Sequence, residues 1–322
     1  MSASGYAASI SHSADNNVGE KDLVTINARL NPDQITFFRN EGYISCGALT
    51  TQLEVQEIKA MLENLFSRKA GEREGAFVDV VAGGQKPGEM TSPQIIGPAN
   101  YAPSLRKTLC FRNATAIAKQ LLGDKARCLF ELAILKNANG GAPTPWHQDE
   151  ASCDPWFEYK QVGFWIPLQD VTAESGCLHF VPRSHKGEVL EHRPVNGDPT
   201  AHSLEYVGVV PEGVEVICPL PAGGYSLHHP RILHFAGENV SGTPRLAYVM
   251  TFGVPPKPAK TPRTFPWLQQ RHTAAQFRNR RWMWRGGLIV TVFRKLRRGE
   301  LTDWRIAWYG VRRSVRALRK GA

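Results

Sequence analysis

The sequence predicts a mainly β protein with flanking helices, and three observations carry that reading. From about residue 126 the chain breaks into short apolar runs, among them Cys128–Leu135, Val162–Ile166, Cys177–Val181 and Leu246–Met250. Each run is bounded by Gly, Pro, Asn or Asp, and no long helical pattern separates them, which favours an antiparallel sandwich or barrel over βαβ units. The helical patterns come first in the chain, so they are expected to buttress the barrel.

The elements can be justified in order. Residues 1–22 are polar and rich in Ser, Asn and Gly, too poor in apolar area to offset the entropy of ordering, and are expected to be mobile. Asn31-Pro32-Asp33-Gln34 has the form of a helix start, with an Asn cap, Pro at the first position and Gln three residues after the cap; Gly42 ends that helix. A second helix follows Thr50-Thr51, with Leu53, Val55, Ile58, Met61, Leu62 and Leu65 at helical spacing and Gly71 beyond its end.

With 322 residues and 42% hydrophobic content, one sizeable core is affordable. The expected layout is a mobile stretch over 1–22, a catalytic domain over 23–256 and a basic tail rich in Trp and Arg over 257–322. Six cysteines lie scattered without a Cys-x-x-Cys pair, and the first residues lack the apolar core of a secretory leader, so a reduced, cytoplasmic protein is expected. No apolar run approaches the roughly 18 to 20 residues of a membrane-spanning helix.

The formal net charge of +10 is unevenly placed. Residues 257–322 hold 18 Lys and Arg against two acids, Glu300 and Asp303, whereas residues 1–256 hold 21 basic and 27 acidic side chains. The barrel region is therefore acidic overall, and the basic balance belongs to the tail.

The chemistry is carried first by Pro145-Trp146-His147-Gln148-Asp149. On a strand, residues two apart share a face, so His147 and Asp149 could reach one metal ion from a single element. By itself that spacing also arises by chance. A third ligand has to come from elsewhere, and two imidazoles with one carboxylate leave three coordination positions open, as iron(II) oxygenases require. The segment Gly223–His234 offers His228, His229 and His234 as candidates, and spacing to the following strand does not dismiss any of them. Arg245 stands eleven positions past His234 in the next apparent strand. Its planar guanidinium suits the distal carboxylate of 2-oxoglutarate, which it can grip bidentately.

Taken together, these segments resemble the phytanoyl-CoA dioxygenase family over roughly residues 28–253. Asn31–Phe38 with Glu41–Ile44 resembles the family's first helix and strand, and Trp146-His147-Gln148-Asp149 its metal motif. Ser175-Gly176-Cys177-Leu178 with Val181–Gly187 resembles its central turn, and Leu233-His234 through Asn239 to Arg245 its third-ligand segment. The resemblance implies a double-stranded β-helix, or jelly-roll, of cupin-like form. It also implies that His147, Asp149 and His234 bind Fe(II) and that Arg245 holds the 2-oxoglutarate tail. Trp165 and Leu132 would wall the cosubstrate pocket, and Gln94 would be a second anchor. Ala236 stands where relatives often carry Ser or Thr, so a hydroxyl contact to the cosubstrate is missing or replaced. The implied reaction consumes O2 and 2-oxoglutarate, releases succinate and CO2, and hydroxylates a small organic substrate of acyl-CoA, carrier-bound, amino-acid-like or natural-product type. The Asp149 carboxylate argues against halogenation, which needs a small residue there.

Other histidines read as structural, including His179, His185, His192 and His202. The tail carries five of the eight tryptophans, and Leu301, Trp304, Trp308, Val311, Val315 and Leu318 fall three and four apart with arginines between them. That pattern is an amphipathic basic helix, which packs on the barrel, attaches peripherally to the inner face of an anionic membrane, or meets an acidic partner; nucleic acid is the weaker reading. Two further alternatives to a hydroxylase are a catalytically silent jelly-roll scaffold acting through its tail and an isomerase or epimerase with the same ligands.

Overall fold

The computed structural model describes residues 29–79, 90–261 and 263–271. The stretch 1–22 and the amphipathic pattern over 301–318 lie outside the described residues. Helix α1 (Pro32–Glu41) leads into strand β1 (Tyr43–Cys46), helix α2 (Gln52–Ser67), β2 (Phe77–Asp79), β3 (Pro93–Ile96) and helix α3 (Leu109–Leu122). The strands continue as β4 (Arg127–Lys136), β5 (Thr144–His147), β6 (Phe157–Glu158), β7 (Gln161–Pro167), β8 (Leu178–Phe180), β9 (His192–Pro194) and β10 (Leu204–Tyr206). After these come β11 (Val216–Cys218), β12 (Tyr225–His228), β13 (His234–Ala236), β14 (Arg245–Gly253), β15 (Lys257–Pro258) and a one-turn helix α4 (Trp267–Gln270).

The caps form as the sequence predicts. Asn31 and Gln34 make a reciprocal capping box, Gly42 takes the left-handed conformation that ends α1, and Thr51 caps α2. The four expected apolar runs become β4, β7, β8 and β14.

All paired strands are antiparallel. A large sheet runs β1-β12-β7-β14-β4-β3-β2 and a small one β11-β8-β13-β5. One apolar cluster joins α2 and α3 to the outward face of the large sheet through Ile58, Leu62, Ile117, Ala133, Phe164, Tyr248 and Phe252. A second joins the inner faces of the two sheets, with Tyr43, Trp165 and Ala247 meeting Leu178, Phe180 and Cys218. Tyr43 stacks on Phe180 across that interface at 4.8 Å. This is the helix-buttressed jelly-roll that the sequence predicts.

Burial locates the open side of the barrel. On β14 the outward Tyr248, Met250 and Phe252 are fully covered, whereas the inward Val249 and Thr251 are only half-buried. On β4 the outward Ala133 is covered while Leu132 and Ile134 are half-buried. A central strand covered less on its core face than on its helix face borders an internal cavity, and the inner row is where a ligand fits.

The helical buttress is locked by one carboxylate. Both oxygens of Glu54 on α2 accept from the first amides of α3, Leu109 N at 2.6 Å and Cys110 N at 2.8 Å, and the Thr50 hydroxyl donates to the same group. A negative charge at a helix N-terminus satisfies orphan donors and complements the dipole. Replacing Glu54 by Ala should therefore lower unfolding free energy by about 1.5–3 kcal/mol in urea titrations. Glu57→Ala, on the exposed face of the same helix, should stay within about 0.5 kcal/mol of the parent.

Candidate metal and dicarboxylate site

Strands β5 and β13 bring His147 and His234 directly opposite each other, with ring centroids 4.1 Å apart. The next registered pair is Thr144 with Ala236, so β5 carries one extra residue and bulges beside the site. The expectation that His147 and Asp149 share a strand needs correction: β5 ends at His147, and Asp149 opens a 3-10 turn over Asp149–Ser152. Gln148 nevertheless stays extended at φ −120°, ψ 128°, so the side-chain alternation persists for one more residue and turns the carboxylate to the imidazole side.

Asp149 Oδ1 lies 3.6 Å from His147 Nε2 and 3.9 Å from His234 Nε2. One ligand atom from each of the three residues falls within 4.8 Å of the others. Carbonyls fix the tautomers: His147 Nδ1 lies 2.8 Å from Pro145 O and His234 Nδ1 lies 3.1 Å from Ile232 O. A carbonyl can only accept, so each Nδ1 carries the proton and each Nε2 presents a lone pair to the common point. Burial, together with the neighbouring His147, pushes the His234 imidazole down to about 3, which keeps it neutral, the form a metal ligand requires.

His228 is the fourth group here, and it is not a ligand. Its Nε2 donates to Asp149 Oδ2 at 3.2 Å, leaving Oδ1 to face the other two imidazoles. Strand β7 makes room for it with Gly163, where a Cβ would come within 2.1 Å of the His228 ring. Burial pushes the Asp149 carboxyl up, but the His228 hydrogen bond and the surrounding imidazoles outweigh that and hold it well below the usual carboxylate range. His229, the other rival, points away: its backbone amide donates to Gly42 O, its Nδ1 accepts from Arg231 N and its ring lies against His185.

The segment bearing Asp149 is braced on both sides. His192 Nδ1 donates to Leu190 O, so its Nε2 accepts from the Gln148 amide at 3.1 Å; burial pushes this imidazole down to about 4 and keeps it an acceptor. The Gln148 side chain spans Leu190 N and Arg231 O. On the other side Glu150 is paired with Arg263 at 2.6 Å and Arg231 at 3.5 Å, while Trp267 Nε1 donates to Ala151 O. Phe265 and Trp267 stack at 4.8 Å over a small core with Ala151 and Leu204, and β15 pairs with β6. The described start of the tail is thus part of the site's frame.

The four pocket residues expected from the resemblance gather on the inner face of the large sheet. Arg245, at the start of β14, is 1% exposed and lies over the Trp165 ring at 5.2 Å. Its Nε and Nη1 find no hydrogen-bond partner among the described residues. Leu132 stands in register with Val249, which in turn is in register with Trp165; Gln94 is buried opposite Ile134 one step further along the same face. Ala236 is buried on β13.

The arrangement fits an iron(II) ion and a dicarboxylate. Two imidazole nitrogens and a carboxylate oxygen form an oxygen- and nitrogen-rich face suited to a divalent first-row metal with open positions. Behind it, a buried guanidinium with unmet donors is the complement of a carboxylate. Among the described residues, no helix is long and apolar enough to cross a membrane.

The chain is similar to known proteins. The sequence profile of one family, phytanoyl-CoA dioxygenase (PhyH), matches residues 38–247. The chain is 30% identical over 176 residues to an L-proline trans-4-hydroxylase of Streptomyces griseoviridis, covering 45% of this chain and 63% of that protein. It is 28% identical over 158 residues to phytanoyl-CoA dioxygenase domain-containing protein 1 of Bos taurus, covering 48% and 54%. The match thus spans about half to two thirds of the length of these curated relatives. Among solved structures, EvdO2 of Micromonospora carbonacea var. aurantiaca complexed with 2-oxoglutarate superposes with a TM-score of 0.64 at 32% identity, over 74% of this chain and 96% of that one.

The role of His228 can be tested on the metal alone. His228→Leu frees Asp149 Oδ2 and should weaken Co(II) binding, followed by its visible absorption, by about 10- to 100-fold. His229→Leu should leave the Co(II) titration unchanged.

Proposed function

The chain belongs to the phytanoyl-CoA dioxygenase family, and on that premise we propose that it is an Fe(II)- and 2-oxoglutarate-dependent dioxygenase that hydroxylates a small organic substrate. The observation that carries the reading is the convergence of His147, Asp149 and His234 on one point, with Arg245 behind it, whose Nε and Nη1 have no hydrogen-bond partner among the described residues. The hypothesis accounts for all four buried or half-buried polar groups with one ion and one dicarboxylate.

Each residue then has a defined task. His147 Nε2, Asp149 Oδ1 and His234 Nε2 would hold the metal on one side and leave the other side open. Arg245 would pair with the distal carboxylate of 2-oxoglutarate, and Trp165 and Leu132 would exclude water around its methylene groups. Gln94, on the same inner face, would donate to an oxygen of the cosubstrate. When bound, iron and 2-oxoglutarate supply the oxidising chemistry: one atom of O2 leaves in succinate as CO2 is released, and the other becomes the substrate hydroxyl. The protein's own work is placement and desolvation.

The substrate would lie further along the same inner face. Gly163, Thr251 and Phe130 occupy one cross-strand row there, and Phe130 remains exposed although its side chain points inward. That half-open apolar row supports an organic substrate carrying a C–H bond rather than a small inorganic ion.

Anaerobic addition of Fe(II) and 2-oxoglutarate to the full chain should produce the weak visible charge-transfer absorption of the chelate. The double variant His147→Ala, Asp149→Ala should abolish it, and Arg245→Ala should raise the 2-oxoglutarate dissociation constant about thirtyfold or more. A wild-type protein that gives no such absorption, or a double variant that retains it, would overturn the assignment. Succinate release measured across acyl thioesters, amino acids and small natural products would then identify the substrate class.

A further inference from the structure

Lys136 is the last residue of β4 and is fully buried. It stands in direct register with Arg245 on β14, so two cationic side chains emerge side by side from one face of the sheet. Its Nζ donates to Ala236 O at 3.0 Å and also to Gly237 O. The expected hydroxyl is missing at Ala236, and here an amine-bearing side chain reaches the backbone of that residue from across the barrel.

From this geometry we infer that Lys136 is the second cation of the dicarboxylate site, joining Arg245 on the distal carboxylate in place of the hydroxyl that Ala236 lacks. The inference rests on the 2-oxoglutarate reading above and adds to it a second cationic residue. Two adjacent buried positive groups repel each other and cost desolvation, and neither Arg245 Nε nor Nη1 has a hydrogen-bond partner among the described residues. Such a pair is stable together only when an anion fills the space before it.

The charge state of Lys136 follows from what surrounds it. Burial pushes its amine down to about 6; Arg245 across the register pushes the same way, and Glu238 is the acid that pulls it back. Also packed on it are the carbonyls of Ala236 and Gly237, the backbone of Gly141 and the Asn239 amide, which donates to Lys136 O. An amine has two N–H groups, and the two carbonyls occupy both. Protonation supplies a third donor, which a carboxylate arriving beside Arg245 would accept. Above pH 6 the empty site therefore holds the neutral amine, and dicarboxylate binding takes up a proton from solvent onto Nζ.

The test uses the full chain loaded anaerobically with Fe(II), titrated calorimetrically at pH 7.5 with 2-oxoglutarate and with 2-oxobutyrate, which shares the chelating end but lacks the distal carboxylate. Wild type should prefer 2-oxoglutarate and, across buffers of different ionisation enthalpy, take up nearly one proton per molecule bound. Lys136→Met should weaken 2-oxoglutarate about tenfold to a hundredfold, lose the proton uptake and leave 2-oxobutyrate unchanged. Adding Ala236→Ser to that variant should recover part of the lost affinity without restoring the uptake. Proton uptake absent from wild type, a measurement that needs no variant, would overturn the inference. So would equal losses for both keto acids in Lys136→Met, which would make Lys136 a brace for β13. Failure of wild type to bind 2-oxoglutarate at all would instead sink the functional reading beneath it.

Discussion

The site depends on one cross-strand pair. His147 and His234 face each other between β5 and β13, and directly opposed residues of antiparallel strands bring their Cβ atoms within about 5.5 Å. A slip of one residue would turn one imidazole to the outer face and leave no common point for their Nε2 atoms. Register is fixed from the other edge as well, because His234 also pairs with Phe180 of β8, whose ring is stacked on Tyr43 of the opposite sheet. The packing between the two sheets therefore holds the pair that would hold the ion.

The arrangement of charge follows from the same scaffold. Asp149 stands among His147, His228 and His234, and Arg245 stands beside Lys136, so the cavity presents one acid and a surplus of basic groups. The two ends suit opposite charges from outside the chain: a divalent metal would be balanced by the Asp149 carboxylate, and the free carboxylate of a dianion by the cationic end. The acid stands on the turn that follows β5 of the small sheet and the cations on β4 and β14 of the large one, so a molecule with a chelating end and an acidic end would span them in one orientation.

The sequence disclosed what is local and left out what is distant. The capping box at Asn31, the strands and the His147 and Asp149 spacing all lie within a few residues of one another, and the resemblance selected His234 from three neighbouring histidines. His228 was visible as a rival ligand, but its bond to Asp149 joins residues 79 apart. Lys136 ends an apolar run and looks like an ordinary polar terminus; only the fold brings it to Ala236, 100 positions away. His192 and Trp267 likewise reach Gln148 and Ala151 across separations of 44 and 116 residues, which no short motif records. Helix α3 is a different kind of omission, since Thr108 before it and Gly123 after it were readable boundary signals. The correction at Asp149 has a simple cause: one extended residue, Gln148, imitates a strand for as long as the ligand spacing needs.

The clasp of Arg263 and Trp267 on the Asp149 turn lies beyond residue 247, where the family match ends. A ribosome delivers the chain from its N-terminus, so His147, Asp149 and His234 all emerge before the residues that steady the turn carrying Asp149. The turn that carries Asp149 thus takes its final form only when this later segment docks on it.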